Sequence, residues 1–167
     1  MPRALMEERP TDLQSGAAQP RLRQASPTDL AQLVALEQAS FAQDRIARRS
    51  WHRLLQRPSA VVLVAEETGA LAGALVLLFR NGSRVARIYS VAVAAGKRGG
   101  GLGYALIDRA GREAAGRGCT RLRLETRLDN HPAQALFRRL GFAVTGRTAG
   151  YYQDGMAALR LERRLAA

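Results

Sequence analysis

Several absences narrow what this chain can be. Its 167 residues include one cysteine, Cys119, so no intrachain disulfide can form and a four-cysteine zinc site is excluded. The two histidines, His52 and His131, make no metal-ligand spacing with it. Aromatic residues are 5% of the chain, and no RNA-stacking motif stands out among them. No apolar run reaches the roughly 20 residues of a membrane-spanning helix. The first 20 residues lack the apolar stretch of a secretory signal and read as a flexible polar tail. Residues 21–167 are then expected to form one domain, in the cytoplasm, with no metal and no membrane contact.

What is present is a hydrophobic content of 47% and a charged content of 24%, the balance of a globular domain with a real core. Lys97 is the only lysine among 26 basic residues, and the net charge is +12. Residues 1–20 hold two arginines against three acids, a net of −1, so residues 21–167 carry +13. Such charge favours an anionic partner: a phosphorylated cofactor, an acidic peptide or nucleic acid. Arginine is spread through every segment, so a habit of composition explains the excess as well as a binding stripe does.

The apolar pattern divides the chain into alternating strands and helices. Arg21–Ala25 reads as a strand, and Ser26, Pro27 and Asp29 as a capped helix start with Leu30, Leu33 and Val34 on its apolar face. Trp51, Leu54 and Leu55 mark a second helix beginning near Ser50. Ala60–Glu66, Leu71–Phe79 and Val85–Val93 form a meander, with Asn81-Gly82 predicting a two-residue hairpin. A helix burying Leu102, Leu106, Ile107, Ala110 and Ala114 carries Asp108–Arg112 and Arg109–Glu113 pairs outside. After a strand over Thr120–Thr126, Asp129 or Asn130 caps a helix whose face is Ala133, Leu136, Phe137 and Leu140. Phe142–Thr145 and Ala157–Leu161 close the domain. The order β-α-α-β-β-β-α-β-α-β-β predicts a mixed α/β or α+β sandwich.

One unit in this order points to chemistry. Gly96-Lys97-Arg98-Gly99-Gly100-Gly101-Leu102-Gly103 runs from a strand straight into a helix. Successive backbone N–H groups and the positive helix end form an anion cradle, rimmed by Lys97 and Arg98. The loop lacks the Gly-Lys-Ser/Thr ending of a nucleotide P-loop, and a Rossmann unit would not follow three antiparallel strands.

Val91-Ala92-Val93 followed by Arg98-Gly99-Gly100-Gly101-Leu102-Gly103 and Ala105-Leu106-Ile107 resembles the acetyl-coenzyme A motif of the GNAT N-acetyltransferases. A second match follows in Leu122-Arg123-Leu124-Glu125-Thr126, Asn130, Ala135-Leu136-Phe137 and Leu140-Gly141-Phe142, and residues 21–165 are similar to the branch of bacterial ribosomal-protein N-terminal alanine acetyltransferases. The resemblance implies a mostly antiparallel central sheet flanked by helices, with acetyl-CoA admitted between the strands ending near Val93 and Thr126. It implies that the backbone at Val91 and Val93 holds the acetyl and pantetheine part, that Arg98, Gly99, Gly100, Gly101, Leu102 and Gly103 hold the pyrophosphate, and that Asn130 meets the pantetheine arm. As a helix cap, Asn130 also has a purely structural role.

An ammonium has no lone pair, so transfer to an amine needs a group to take a proton, directly or through water. Glu125 stands where the family places a candidate base; the bland alternative is a surface glutamate paired with Arg123 or Arg127. Phe137 replaces a tyrosine that relatives use to protonate the leaving thiolate, and its helical spacing fits the core. Tyr89, Tyr151 and Tyr152 are expected to line the acceptor pocket. The acceptor is an amine-bearing peptide, protein or small molecule, and a protein N-terminus is favoured by the likeness. Two other classes fit parts of the sequence: a basic nucleic-acid- or ribosome-associated module without turnover, and an acetyl-CoA-sensing domain.

Overall fold

The computed structural model describes residues 3–5 and 19–166. Most of the expected flexible tail thus lies outside the described residues, but Arg3–Leu5 within it forms a strand, β1. There follow β2 (Arg21–Gln24), α1 (Leu30–Ser40), α2 (Arg48–Gln56), β3 (Ala60–Glu67), β4 (Ala70–Leu78), β5 (Val85–Val93), α3 (Leu102–Gly116), β6 (Arg121–Arg127), α4 (His131–Arg139), β7 (Ala143–Thr148) and β8 (Ala158–Arg164). The sheet runs β2-β3-β4-β5-β6-β8-β7, with β1 also on β5. All pairs are antiparallel except β5–β6 and β1–β5. This is the expected mixed, mostly antiparallel sheet flanked by helices.

Local chemistry sets the elements. The Ser26 N–H donates to Asp29 Oδ2 at 2.8 Å, and Arg23 holds both oxygens of Asp29 at 2.7 and 2.9 Å while also reaching Glu66. That fork fastens the start of α1 to β2 and β3, and it keeps the Asp29 carboxyl well below the usual carboxylate range. On α3 the predicted stripe from Leu102 to Ala114 is buried, and both i,i+4 ion pairs form outside. Asn130 caps α4, its Oδ1 accepting from Ala133 N–H at 3.2 Å. Phe137 is fully buried, edge-on to Phe142 with ring centres 5.8 Å apart.

The two-residue hairpin at Asn81-Gly82 does not form. β4 ends at Leu78 and β5 begins at Val85, and the tight turn from Arg80 to Ser83 sits inside a longer connection. The flanking backbone is drawn to other partners: Phe79 N–H donates to Ser59, and the Arg84 carbonyl accepts from Thr120. These bonds outcompete ladder pairing next to the turn.

Two cores cover the two faces of the sheet. One joins α3 and α4 to Val61, Leu75, Ile88, Val91, Val93, Leu122 and Leu124; the other joins α1 and α2 to Val62, Val64, Val76 and Ala92. Strand β5 changes phase between them. Val76 pairs with Ser90 but Leu77 pairs with Ile88, leaving Tyr89 bulged out of register. Ala86 and Ile88 face the first core before the bulge, Val91 and Val93 after it. One extra residue thus re-aims the strand beyond Tyr89; Tyr89 shares a face with Arg87, whose guanidinium lies 5.9 Å from the Tyr89 ring centre.

The parallel pairing of β5 with β6 stops early. It runs from Val85 opposite Arg121 to Arg87 opposite Arg123. Beyond that point β5 stays with β4 and β6 stays with β8. The sheet is split between Ile88–Val93 and Leu124–Arg127.

Candidate active site

One end of the split is glycine-rich. From Ala94 the chain crosses a short loop into α3, and Gly99 and Gly101 take φ of 88° and 81°, a backbone that favours glycine. A Cβ built on either would meet nothing within 4 Å, so open space adjoins the start of a fifteen-residue helix. The positive end of the helix dipole makes that space suitable for an anion. Gly100 completes the loop, and Leu102 and Gly103 are buried in the first turn of the helix. Both rim cations are tethered: Lys97 to Glu67 at 3.1 Å, and Arg98 through Nε to the Val93 carbonyl at 3.1 Å.

The side chains of Val91 and Val93 are wholly buried, so only their backbone borders the split. Arg3–Leu5 lies along that border, parallel, with Ala4 opposite Val91. The edge therefore accepts an extended chain, as an exposed strand edge does. A glycine cradle for phosphate beside an edge that pairs with an extended, amide-bearing arm fits coenzyme A.

The other end is polar. Glu125 is only 5% exposed, and its neighbours follow from register. Arg123 is two residues back on β6, Arg160 lies directly opposite on β8, and Arg87 lies opposite Arg123 on β5. Alternation puts all of them on one sheet face. Arg87 Nε donates to Glu125 Oε2 at 3.1 Å, while Arg123 Nε and Arg160 Nε each stand 3.9 Å from Oε1. The second hand of Arg87 donates to the Tyr151 hydroxyl at 2.6 Å. Glu125 is thus a paired glutamate but not a surface one. Arg127 plays no part in it and binds Asp129 and Asp154.

Two cavities open beside this cluster. One, of about 490 Å³, is bounded by Asp44, Arg53, Leu78, Tyr89 and Gln153. The other, of about 330 Å³, is bounded by Phe41, Asp44, Thr126, Asn130 and Tyr152. Tyr89 and Tyr152 are therefore walls, whereas Tyr151 instead holds Arg87 and stacks edge-on against Tyr152 at 5.0 Å. Burial pushes the Tyr151 hydroxyl up to about 12 and raises Tyr152 further still. Asn130 borders the second cavity as well as capping α4.

Arg87, Arg160 and Asp44 were not foreseen. The slip in apolar spacing from Ala86 and Ile88 to Val91 and Val93 was a legible sign of the bulge; nothing local marked the other two.

A split sheet with a glycine loop leading into a helix at one end and a buried, arginine-ringed carboxylate at the other is the arrangement of an acyltransferase. The chain belongs to the Acetyltransferase (GNAT) family, which it matches over residues 28–142, and is an N-acetyltransferase of that family. A Bacillus subtilis (strain 168) protein provisionally named a ribosomal protein bS18-alanine N-acetyltransferase is 32% identical over 126 residues, 75% of this chain and 82% of that one. A ribosomal-protein-alanine N-acetyltransferase from Brucella melitensis superposes with TM-score 0.76 at 27% identity, over 87% of this chain and 99% of that one. The Escherichia coli ribosomal-protein-S18-alanine N-acetyltransferase shares the fold, with TM-score 0.80 at 24% identity over 89% of this chain and 95% of that one.

Proposed function

We propose that the protein transfers the acetyl group of acetyl-CoA directly to a primary amine in a ternary complex, and that the amine belongs to a protein N-terminus. The observation that carries the reading is the glycine loop and the β5 edge meeting at one end of the split. When bound, acetyl-CoA supplies the thioester carbonyl. Gly99, Gly100 and Gly101, with the start of α3, would hold its pyrophosphate, and the backbone at Val91 and Val93 would hold its arm. Arg98 closes the end of β5 through the Val93 carbonyl, and Asn130 borders the path from the other strand.

At the polar end, Glu125 would accept the proton that the amine nitrogen releases as it forms its bond to the acetyl carbon and the carbon–sulfur bond breaks. Arg87 fixes Oε2, so Oε1 is the oxygen available for that proton or for a water that relays it. Phe137 has no proton to donate and is buried against Phe142 in the core, which leaves water or the neutral Tyr151 hydroxyl to meet the departing sulfur. The N-terminal acceptor rests on the bacterial relatives named for ribosomal-protein alanine. A cytoplasmic setting goes with such an acceptor.

Calorimetric titration with acetyl-CoA tests the donor half. Gly100 has ordinary backbone and room for a Cβ, 3.8 Å from the nearest atom, so Gly100→Glu puts a carboxylate in the cradle without forcing the fold. One-to-one binding is expected, weakened by about 100-fold in the variant, the scale of a like charge placed against phosphate. Absence of wild-type binding at millimolar acetyl-CoA would remove the reading.

A further inference from the structure

Asp44 stands apart from every other carboxylate at the mouth. It lies in the connection between α1 and α2 and borders both cavities. Its φ of 54° is left-handed, a conformation L residues rarely adopt and aspartate tolerates better than most. Its Oδ1 is buried, with no hydrogen-bond partner among the described residues. A desolvated carboxylate oxygen without a donor is costly, and strain coinciding with it at a cavity wall is a mark of a ligand site.

Arg45, Arg53 and Arg57 line the larger cavity with it, and none of them bonds that oxygen. Arg45, the next residue, turns back to the carbonyls of Phe41 and Gln38. Arg127, across the smaller cavity, is held by Asp129 and Asp154. The walls of the two cavities that Asp44 borders also carry the rings of Phe41, Tyr89 and Tyr152, and the Asp44 charge is felt at the Tyr152 hydroxyl. A metal ion would need further oxygen or nitrogen ligands, and no such group of three acidic, histidine or cysteine side chains exists among the described residues. A single carboxylate beside aromatic rings suits one compact organic cation instead.

We propose that Asp44 receives the acceptor's amine in its ammonium form and thereby determines that a free amine, rather than an acylated end, enters the mouth. A primary amine is largely protonated near neutral pH, so the species arriving from solvent is the cation. Asp44 Oδ1 accepts a hydrogen bond from one of its N–H groups; one proton then leaves to water before the nitrogen can attack, and the second goes to Glu125 as the bond to the acetyl carbon forms. This rests on the reading that an amine is the acceptor, and it adds the residue that recognises it.

Asp44→Asn keeps the shape and the tolerance of left-handed backbone while removing the charge. Three probes are titrated into each protein: an alanine-initiated peptide, an N-blocked lysine peptide and an alkyl diamine, each beside its fully acetylated counterpart. Wild type is expected to prefer at least one free amine to its acetylated form by about 10-fold or more, and the variant to show less than about 2-fold preference for the same pair. Acetyl-CoA titrations and melting curves of the two proteins should superimpose. A wild type that prefers none of the three amines, or a variant that keeps the preference, overturns the assignment. Failure of the donor reading shows separately, as wild type that does not bind acetyl-CoA whatever it does with the amines.

Discussion

The two ends of the split sheet are built in opposite ways. The glycine end is a continuous piece of chain, from Val93 to the first turn of α3, and its shape comes from φ angles that local sequence dictates. The polar end is assembled from β5, β6, β8, the α1–α2 connection and the loop after β7. Its central charge is compensated by residues far away in sequence. A site made of contiguous backbone is robust to side-chain change and sensitive to conformation; a site made of converging side chains is the reverse.

Glu125→Ala should give the largest separation of the two ends. It leaves Arg87, Arg123 and Arg160 facing one another without their shared carboxylate. Breaking such a buried cluster costs several kcal/mol in a dry interior, and the partial exposure of the arginines brings the expected loss to about 2 kcal/mol. Turnover should fall by roughly 100-fold as the proton acceptor is lost. Urea unfolding and single-turnover acetyl transfer measure the two losses, and acetyl-CoA affinity should stay within about 2-fold of wild type. An equal loss of acetyl-CoA affinity would mean that the ends are not independent.

Removing residues 1–18 sharpens the comparison from the glycine side. Arg3–Leu5 occupies the edge at Ser90–Ala92 where the arm of coenzyme A is proposed to pair, and one strand edge cannot hold both. The truncated protein is expected to bind acetyl-CoA about 5-fold more tightly, on the scale of one or two net backbone hydrogen bonds. Its melting temperature should change little, because the two cores among the described residues are built from residues 22 to 165. Unchanged affinity in calorimetry would show that β1 does not compete.

The same contrast explains what the sequence made legible. The succession of elements from Arg21 onward, the α3 stripe and a cap at Asp129 or Asn130 are each set within a few residues, and all are readable. The glycine loop was readable for the same reason. Arg160 meets Glu125 only because β8 pairs with β6 in one register, and a strand partner 35 positions later leaves no local trace. The hairpin at Asn81-Gly82 failed because Phe79 and Arg84 found backbone partners outside the meander. Asp44 was hidden for a different reason: a single aspartate in a polar connection looks like any loop residue until its burial is known.

Tyr151→Phe should have the smallest effect and tests how rigid the polar end must be. The hydroxyl accepts from Arg87 at 2.6 Å, so its loss frees one hand of the residue that fixes Glu125 Oε2. Loss of one such charged hydrogen bond at a half-exposed site is expected to lower kcat by about 3-fold, or about 0.7 kcal/mol. Burial keeps the hydroxyl protonated up to about 12, so between pH 7 and 10 it neither gains nor loses charge. The pH–rate curves of wild type and Tyr151→Phe should therefore run parallel over that range, displaced by a constant factor. A limb near pH 10 present only in wild type would mean that Tyr151 ionises during turnover, and that the polar end is wetter and looser than its packing against Tyr152 implies.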